Sequence, residues 1–237
     1  MDRLIFLDTE TTGSDTTKDR LCQVAFREGE ETRAEYFRPP FPITVKAMSI
    51  HHITNETVEH CPAFQGSQMQ LDIQARLNEG IMVAHNARFD KAMLETEGVT
   101  VPRYICTYRV AHMLDRNDRI PEYNLQYLRY FLKLNVSGAA HDAAGDVNVL
   151  YALLQRLLAK VIDEQQTDEQ TALQYLTGIS VSPLLLRKFH FGKYRGRMIS
   201  EIAASDRKYL EWLLDQKKEN ASGEEDWFYT LTEYLRK

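Results

Sequence analysis

The sequence predicts an α/β fold: a mixed central sheet with helices on its faces, followed by a small, mainly helical C-terminal domain. Two short apolar runs, residues 4–7 (LIFL) and 81–85 (IMVAH), have the continuous pattern of strands covered on both sides. Helix-period stretches alternate with them, the longest at residues 146–162. Beyond residue 165 the stretches that read as elements are helical.

The first strand, LIFL, is followed by LCQVAFREG and EETRAEYFRPP, an antiparallel pair about a turn at Gly29 whose second member is stopped by Pro39-Pro40. SQMQLDIQARLNEG predicts a helix ending at Gly80, and IMVAH a buried strand directly after it. ARFDKAMLETEG reads as a helix stopped by Gly98, YICTYRVAHML as a strand that turns helical, and NLQYLRYFLKL as a further helix. DVNVLYALLQRLLAKVI is the longest helix. The polar segment 163–170, DEQQTDEQ, is the most linker-like, although Thr167 with Gln170 could cap a following helix. The expected domains are therefore 1–165 and 166–237. The second holds helices around TALQYLT, ISEIAASDRKYLEWLLDQ and DWFYTLTEYLRK.

A chain of 237 residues, 43% hydrophobic and 27% charged, has the composition of an ordinary globular protein. No apolar run approaches the roughly 20 residues of a bilayer span, and MDRLIFLDTE lacks the apolar centre of a signal peptide, so neither membrane insertion nor secretion is expected. Cys22, Cys61 and Cys106 are odd in number and form no CxxC pair; they read as free core thiols in a reducing compartment, the cytoplasm. The net charge of −5 does not announce a nucleic-acid binder, yet residues 187–197 carry five formal positive charges, no acid and interleaved aromatics. Phosphate contact plus base stacking needs that combination, with Lys193 and Arg195 at its centre; a solvated basic loop is the alternative. The FGKYRG segment there lacks the spacing of a phosphate-binding P-loop.

The apolar run LIFL leads directly into Asp8-Thr9-Glu10. Residues i and i+2 of a strand share a face, so Asp8 and Glu10 point together if the strand persists that far. Two such carboxylates repel each other unless a cation lies between them, and hard divalent ions favour oxygen ligands of this kind. Taken alone the pair is a weak signal, since a solvated strand end explains most such pairs. In the longest helix, however, the apolar stripe Val149, Leu150, Leu153, Leu154, Leu157, Leu158, Val161 lands on Asp146 when extended back one turn. An acid on a core-facing stripe needs a partner or a metal. Asp90 repeats the theme after IMVAH, heading a shorter stripe through Met93 and Leu94. His141 lies five residues before Asp146, about 140° away if both were helical, so the two share a site only if His141 belongs to the Gly138-Ala139-Ala140 loop. From such a loop it could serve as general base.

FLDTETTG, VAHNARFD and HDAAGDV, in that order, resemble the three exonuclease motifs of the DEDDh 3′–5′ exonucleases, a superfamily of RNase H-like fold that includes proofreading subunits. AMSIHHIT, residues 47–54, resembles the family's segment between the first and second motifs, and the C-terminal stretch 189–214 resembles a region found in part of the family. The resemblance implies an RNase H-like exonuclease fold with Asp8, Glu10, Asp90 and Asp146 as metal-site carboxylates for two Mg²⁺ ions, or Mn²⁺, with Asp8 between them. It implies His141 as general base, and Thr12, Gly13, Ile50, His51, Asn86 and Phe89 around the terminal nucleotide. For Ile50 and Phe89 core packing is the alternative. The implied activity is 3′–5′ hydrolysis of DNA to nucleoside 5′-monophosphates, in repair. An exoribonuclease or proofreading subunit of the same superfamily is the alternative, and a non-catalytic nucleic-acid-binding module a more distant one. A His141-Asp142 metal pair would leave LIFLDTE unexplained.

Overall fold

Strand β1, Arg3–Thr11, is longer than its apolar run and carries Asp8 and Glu10 within it. It pairs on one side with β2, Leu21–Glu28, which in turn pairs with the edge strand β3, Glu31–Tyr36, both antiparallel. On the other side β1 runs parallel to β4, Gly80–Ala84, and β4 to β5, Tyr104–Cys106, giving the mixed order β3-β2-β1-β4-β5. The computed structural model describes residues 2–136, 143–219 and 224–236.

Between the strands lie α1 (Val45–His51), α2 (Asn55–Val58), α3 (Gln68–Glu79) and α4 (Arg88–Thr96). They are followed by α5 (Thr107–Leu114), α6 (Leu125–Phe131), α7 (Ala143–Gln165) and α8 (Glu169–Val181). The starts of α1, α2, α3 and α6 are set by side-chain caps from Thr44, Thr54, Ser67 and Asn124. At α8 the cap is Asp168, whose Oδ1 accepts from Thr171 N at 2.7 Å, rather than Thr167 with Gln170.

Strand alternation divides the core into two layers. Phe6, Ala25, Ile81, Val83 and Ile105 pack against the apolar stripes of α5, α6, α7 and α8. Ile5, Leu7, Val24, Phe26, Met82 and Ala84 face the opposite way, against α3 and α4. Buried Cys22 and Cys106 conform to the expectation for core thiols, and burial, then the Glu10 charge, pushes the Cys22 thiol up to about 12. Cys61 departs from that expectation: it is only half-buried, with Sγ 3.7 Å from Thr57 O.

The chain divides into two compact units, Met1–Leu114 with Ile120–Ser180, and Asp115–Arg119 with Val181–Lys237. The division expected at 165/166 falls instead between two helices of one core. Ala172, Leu173 and Leu176 of α8 pack with the leucines of α7, and Ser180 Oγ accepts from Cys106 N at 2.8 Å.

The second unit contains an isolated bridge between Lys188 and Met198, a 3₁₀ turn at Gly192–Tyr194, and helices α9 (Ile199–Ser205), α10 (Arg207–Glu219) and α11 (Glu225–Arg236). Its core is aromatic: Phe189 lies 5.4 Å from Trp227 in a stacked arrangement and 5.9 Å from Tyr209. The sequence predicts one helix over 199–216, whereas the structure has two. Asp206 leaves helical conformation between them, accepts from Tyr194 Oη at 2.5 Å and receives Tyr209 N at 3.3 Å.

Candidate active site

The register of β1 creates the site. Its pairing with β4 ends at Phe6↔Val83, while its pairing with β2 continues to Thr11, past an irregularity between Glu10 and Thr11 where Cys22 is the extra residue. Residues 8–11 therefore project beyond the end of β4, on a strand flanked by one antiparallel and one parallel neighbour. Open α/β sheets bind ligands in crevices of this type, at strand ends where the sheet changes direction.

Asp8 and Glu10 share the face of Phe6, which looks toward α7. The first turn of α7 supplies Asp146, only 7% exposed, on the stripe that continues through Val149, Leu150 and Leu153. Asp8, Glu10 and Asp146 each offer an oxygen, and all three oxygens lie within 4.8 Å of one another. Like charges this close favour a bound cation, and an all-carboxylate oxygen set suits a hard divalent one. Gln126 of α6 fixes one member by donating from Nε2 to Asp146 Oδ1.

Thr9 points to the other face, and there it meets Asp90 in the first turn of α4: Thr9 Oγ1 donates to Asp90 Oδ1 at 2.8 Å. Asp90 is 4% exposed, and burial pushes its carboxyl up to about 7 despite the hydroxyl bond that favours its charge. One strand end thus gathers acids from helices on both faces. The three-oxygen group comes from the α7 side, and Asp90 approaches from the α4 side.

Thr12, Gly13, Ile50, His51, Asn86 and Phe89 belong to the same unit as this strand end, in different circumstances. Thr12 is fully buried; its hydroxyl donates to Asp19 Oδ1 at 2.7 Å and its carbonyl accepts from Thr44 N and Thr44 Oγ1. Gly13 is required by closeness, since a Cβ there would stand 2.5 Å from Asp19 Oδ2. Ile50 is 49% exposed, not a core residue; with Phe89, Thr11, Gly13, Lys46 and His51 it lines a cavity of about 340 Å³ that reaches Glu10. His51 is buried, with Nδ1 accepting from Ile53 N at 3.0 Å and Nε2 facing Thr11 O at 3.1 Å, so a neutral ring protonated on Nε2 satisfies both. Asn86 adopts positive φ (63°) in the turn between β4 and α4, where its carbonyl accepts from Phe89 N. His141 and its neighbour Asp142 lie outside the described residues.

Lys193 and Arg195 belong to the second unit. Lys193 is engaged locally, pairing with Asp206 at 3.0 Å and lying 4.6 Å from the ring centroids of both Tyr194 and Tyr209. Lys188 pairs with Asp118 and Arg197 with Glu201, whereas Arg195 is exposed and has no side-chain partner among the described residues. Sequence reasoning missed Thr9, Gln126, Asp19 and Lys46. The one available signal is strand alternation, which puts Thr9 on the face of Ile5 and Leu7.

An exonuclease family model matches residues 5–154, and a model described as exodeoxyribonuclease X-like C-terminal matches residues 189–218. The chain belongs to the exonuclease family. It is 32% identical over 226 residues to exodeoxyribonuclease 10 of Escherichia coli K12, covering 90% of each chain. It is 28% identical over 163 residues to the DNA polymerase III subunit epsilon of Treponema pallidum, covering 64% of this chain and 74% of the relative. Among solved structures, exonuclease X in complex with 5′ overhanging duplex DNA superposes with a TM-score of 0.57 at 26% identity, over 75% of this chain and 99% of that one. E. coli exonuclease I in complex with a dT13 oligonucleotide gives 0.56 at 18% identity, over 74% of this chain and 46% of that one. These structures share the RNase H-like architecture expected from the sequence. No described helix is long and apolar enough to cross a membrane.

Proposed function

We propose that this protein is a divalent-metal-dependent 3′–5′ exodeoxyribonuclease that releases nucleoside 5′-monophosphates from DNA 3′ ends and works in the cytoplasm. The observation that carries the reading is the convergence of Asp8, Glu10 and Asp146 within 4.8 Å at the open end of β1. With Asp90 they would hold two Mg²⁺ ions, or Mn²⁺ in their place, and such a pair, when bound, stabilises both the attacking and the leaving oxygen of an in-line displacement at phosphorus. Gln126 and Thr9 orient Asp146 and Asp90. His141 takes the proton from the attacking water, a contribution typically of 10²–10⁴-fold. Ile50 and Phe89 flank the terminal nucleotide in the cavity beside Glu10, while His51 and Thr12 secure the turn that shapes it. Arg195 contributes a basic surface for the DNA strand, next to Lys193, whose charge is shared with Asp206.

DNA is favoured over RNA, and a free-standing enzyme over a proofreading subunit, because the exodeoxyribonuclease relative matches 90% of the chain and the polymerase subunit 64%. The test is a 5′-labelled oligonucleotide, as DNA and as RNA, incubated with the protein and Mg²⁺. Stepwise shortening of DNA from the 3′ end, abolished by EDTA and by Asp8→Ala, is expected. Shortening of RNA alone would overturn the DNA assignment, and no shortening of either would leave a binding module.

A further inference from the structure

Helix α6 presents an aromatic surface that its role in the core does not require. Its inner side is Leu128, fully buried. Its outer side carries Tyr130, 72% exposed, and Phe131, 43% exposed, with Tyr127 stacked on Phe131 at 5.9 Å between centroids and 23° between planes. Singly exposed aromatics are ordinary, but two exposed rings next to each other, backed by a half-buried third in Tyr127, mark a contact surface. Residues 125–136 contain Arg129 and Lys133 and no acid, while Glu122, which accepts from Asn124 Nδ2 at 2.9 Å, and Asp146 border the surface. The Arg129 guanidinium lies 5.4 Å from the Tyr130 ring centroid and donates to Gln126 Oε1 at 3.4 Å.

The position of the helix gives the surface its meaning. Gln126 donates to Asp146, and residues i and i+4 of a helix lie about 6 Å apart at Cβ, so Tyr130 stands beside the residue that holds the carboxylate group. The cavity lined by Asn124, Gln126, Tyr127, Tyr130 and Phe131 opens there. Flat rings, adjacent cations and a direct hydrogen-bonded link to the acid cluster are what a nucleobase next to a reacting phosphate would meet.

We infer that α6 is a base-stacking shelf, on which Tyr130 and Phe131 hold an unpaired base of the DNA strand a short distance from the scissile phosphate; this rests on the nuclease reading above. The test uses the full chain and a 5′-fluorescein oligodeoxynucleotide series in which one abasic site is moved stepwise from the 3′ end. Binding is read by anisotropy with Ca²⁺ in place of Mg²⁺, so that hydrolysis does not intervene. In the wild type, one abasic position should weaken binding about fivefold or more, the typical value of one stacked base. In Tyr130→Ala/Phe131→Ala that position should no longer matter, in Tyr130→Trp it should still matter, and in Tyr130→Leu the sensitivity should be lost. Identical abasic profiles in wild type and the alanine variant would overturn the inference, as would full retention by leucine, or a change in sedimentation without a change in DNA binding, which would mark a contact between copies. Truncating these exposed rings should leave thermal unfolding unchanged. Failure of the wild type to shorten labelled DNA would sink the nuclease reading by itself, while the anisotropy series still decides the shelf.

Discussion

Asp90 shows how a single buried group links the site to stability. Its carboxyl rises from 3.8 to about 7 because burial opposes its charge, and the bond from Thr9 Oγ1 offsets only part of that. In metal-free protein the folded state therefore keeps a proton that the unfolded chain releases near pH 4. The associated stability is whole below pH 3.8 and is lost as the pH rises through 7. Asp90→Asn, which resembles the protonated acid, should gain on the wild type in EDTA between about pH 5 and pH 8 by a few kcal/mol, or roughly 5–10 °C in melting temperature. A constant offset across that range would show the acid to be ionised in the fold already. The acids were legible in the sequence because strand alternation and helix periodicity each assign a face, so Asp8, Glu10 and Asp146 had to point somewhere particular. Gln126 was not: an amide on a short helix has no periodicity, and only the meeting of α6 with α7 gives it a role.

At the scale of elements, the junction of α3 with β4 is made by a single residue. Gly80 ends the helix and opens the strand with no connecting residue, and a Cβ there would stand 2.1 Å from Ile5 Cδ1 and 2.9 Å from Arg3 O. The obstruction is partly backbone, so Gly80→Ala should cost about 2 kcal/mol and lower the melting temperature by about 4–8 °C. A melting curve matching the wild type would mean that β1 and β4 separate without penalty. The strands and the longest helix were readable because apolar runs and stripes are long-range patterns. Helices α1 and α2 were not, since seven and four residues of mixed polarity carry no period and their starts depend on Thr44 and Thr54 caps. Neither was the break at Asp206, because it depends on Tyr194 arriving from a separate segment.

Across the whole molecule, charge is distributed by function more than by average. The net charge of −5 is compatible with DNA binding only where cations remain available, and of the basic residues at 187–197, Lys188, Lys193 and Arg197 already pair with acids. Arg195→Ala should thus reduce the slope of log affinity for DNA against log salt by about 1, uniformly across sequences. An unchanged slope would exclude Arg195 from phosphate contact. A different consequence follows from the alternation in β1, where Asp8 and Glu10 look to α7 and Thr9 to α4. Slipping this strand by one residue against its neighbours would exchange those faces and leave its hydrophobic content intact. A misregistered molecule could be compact and helical and still be silent. Specific activity in this protein is therefore a census of correctly paired chains, a measure of folding fidelity that spectroscopic secondary structure does not provide.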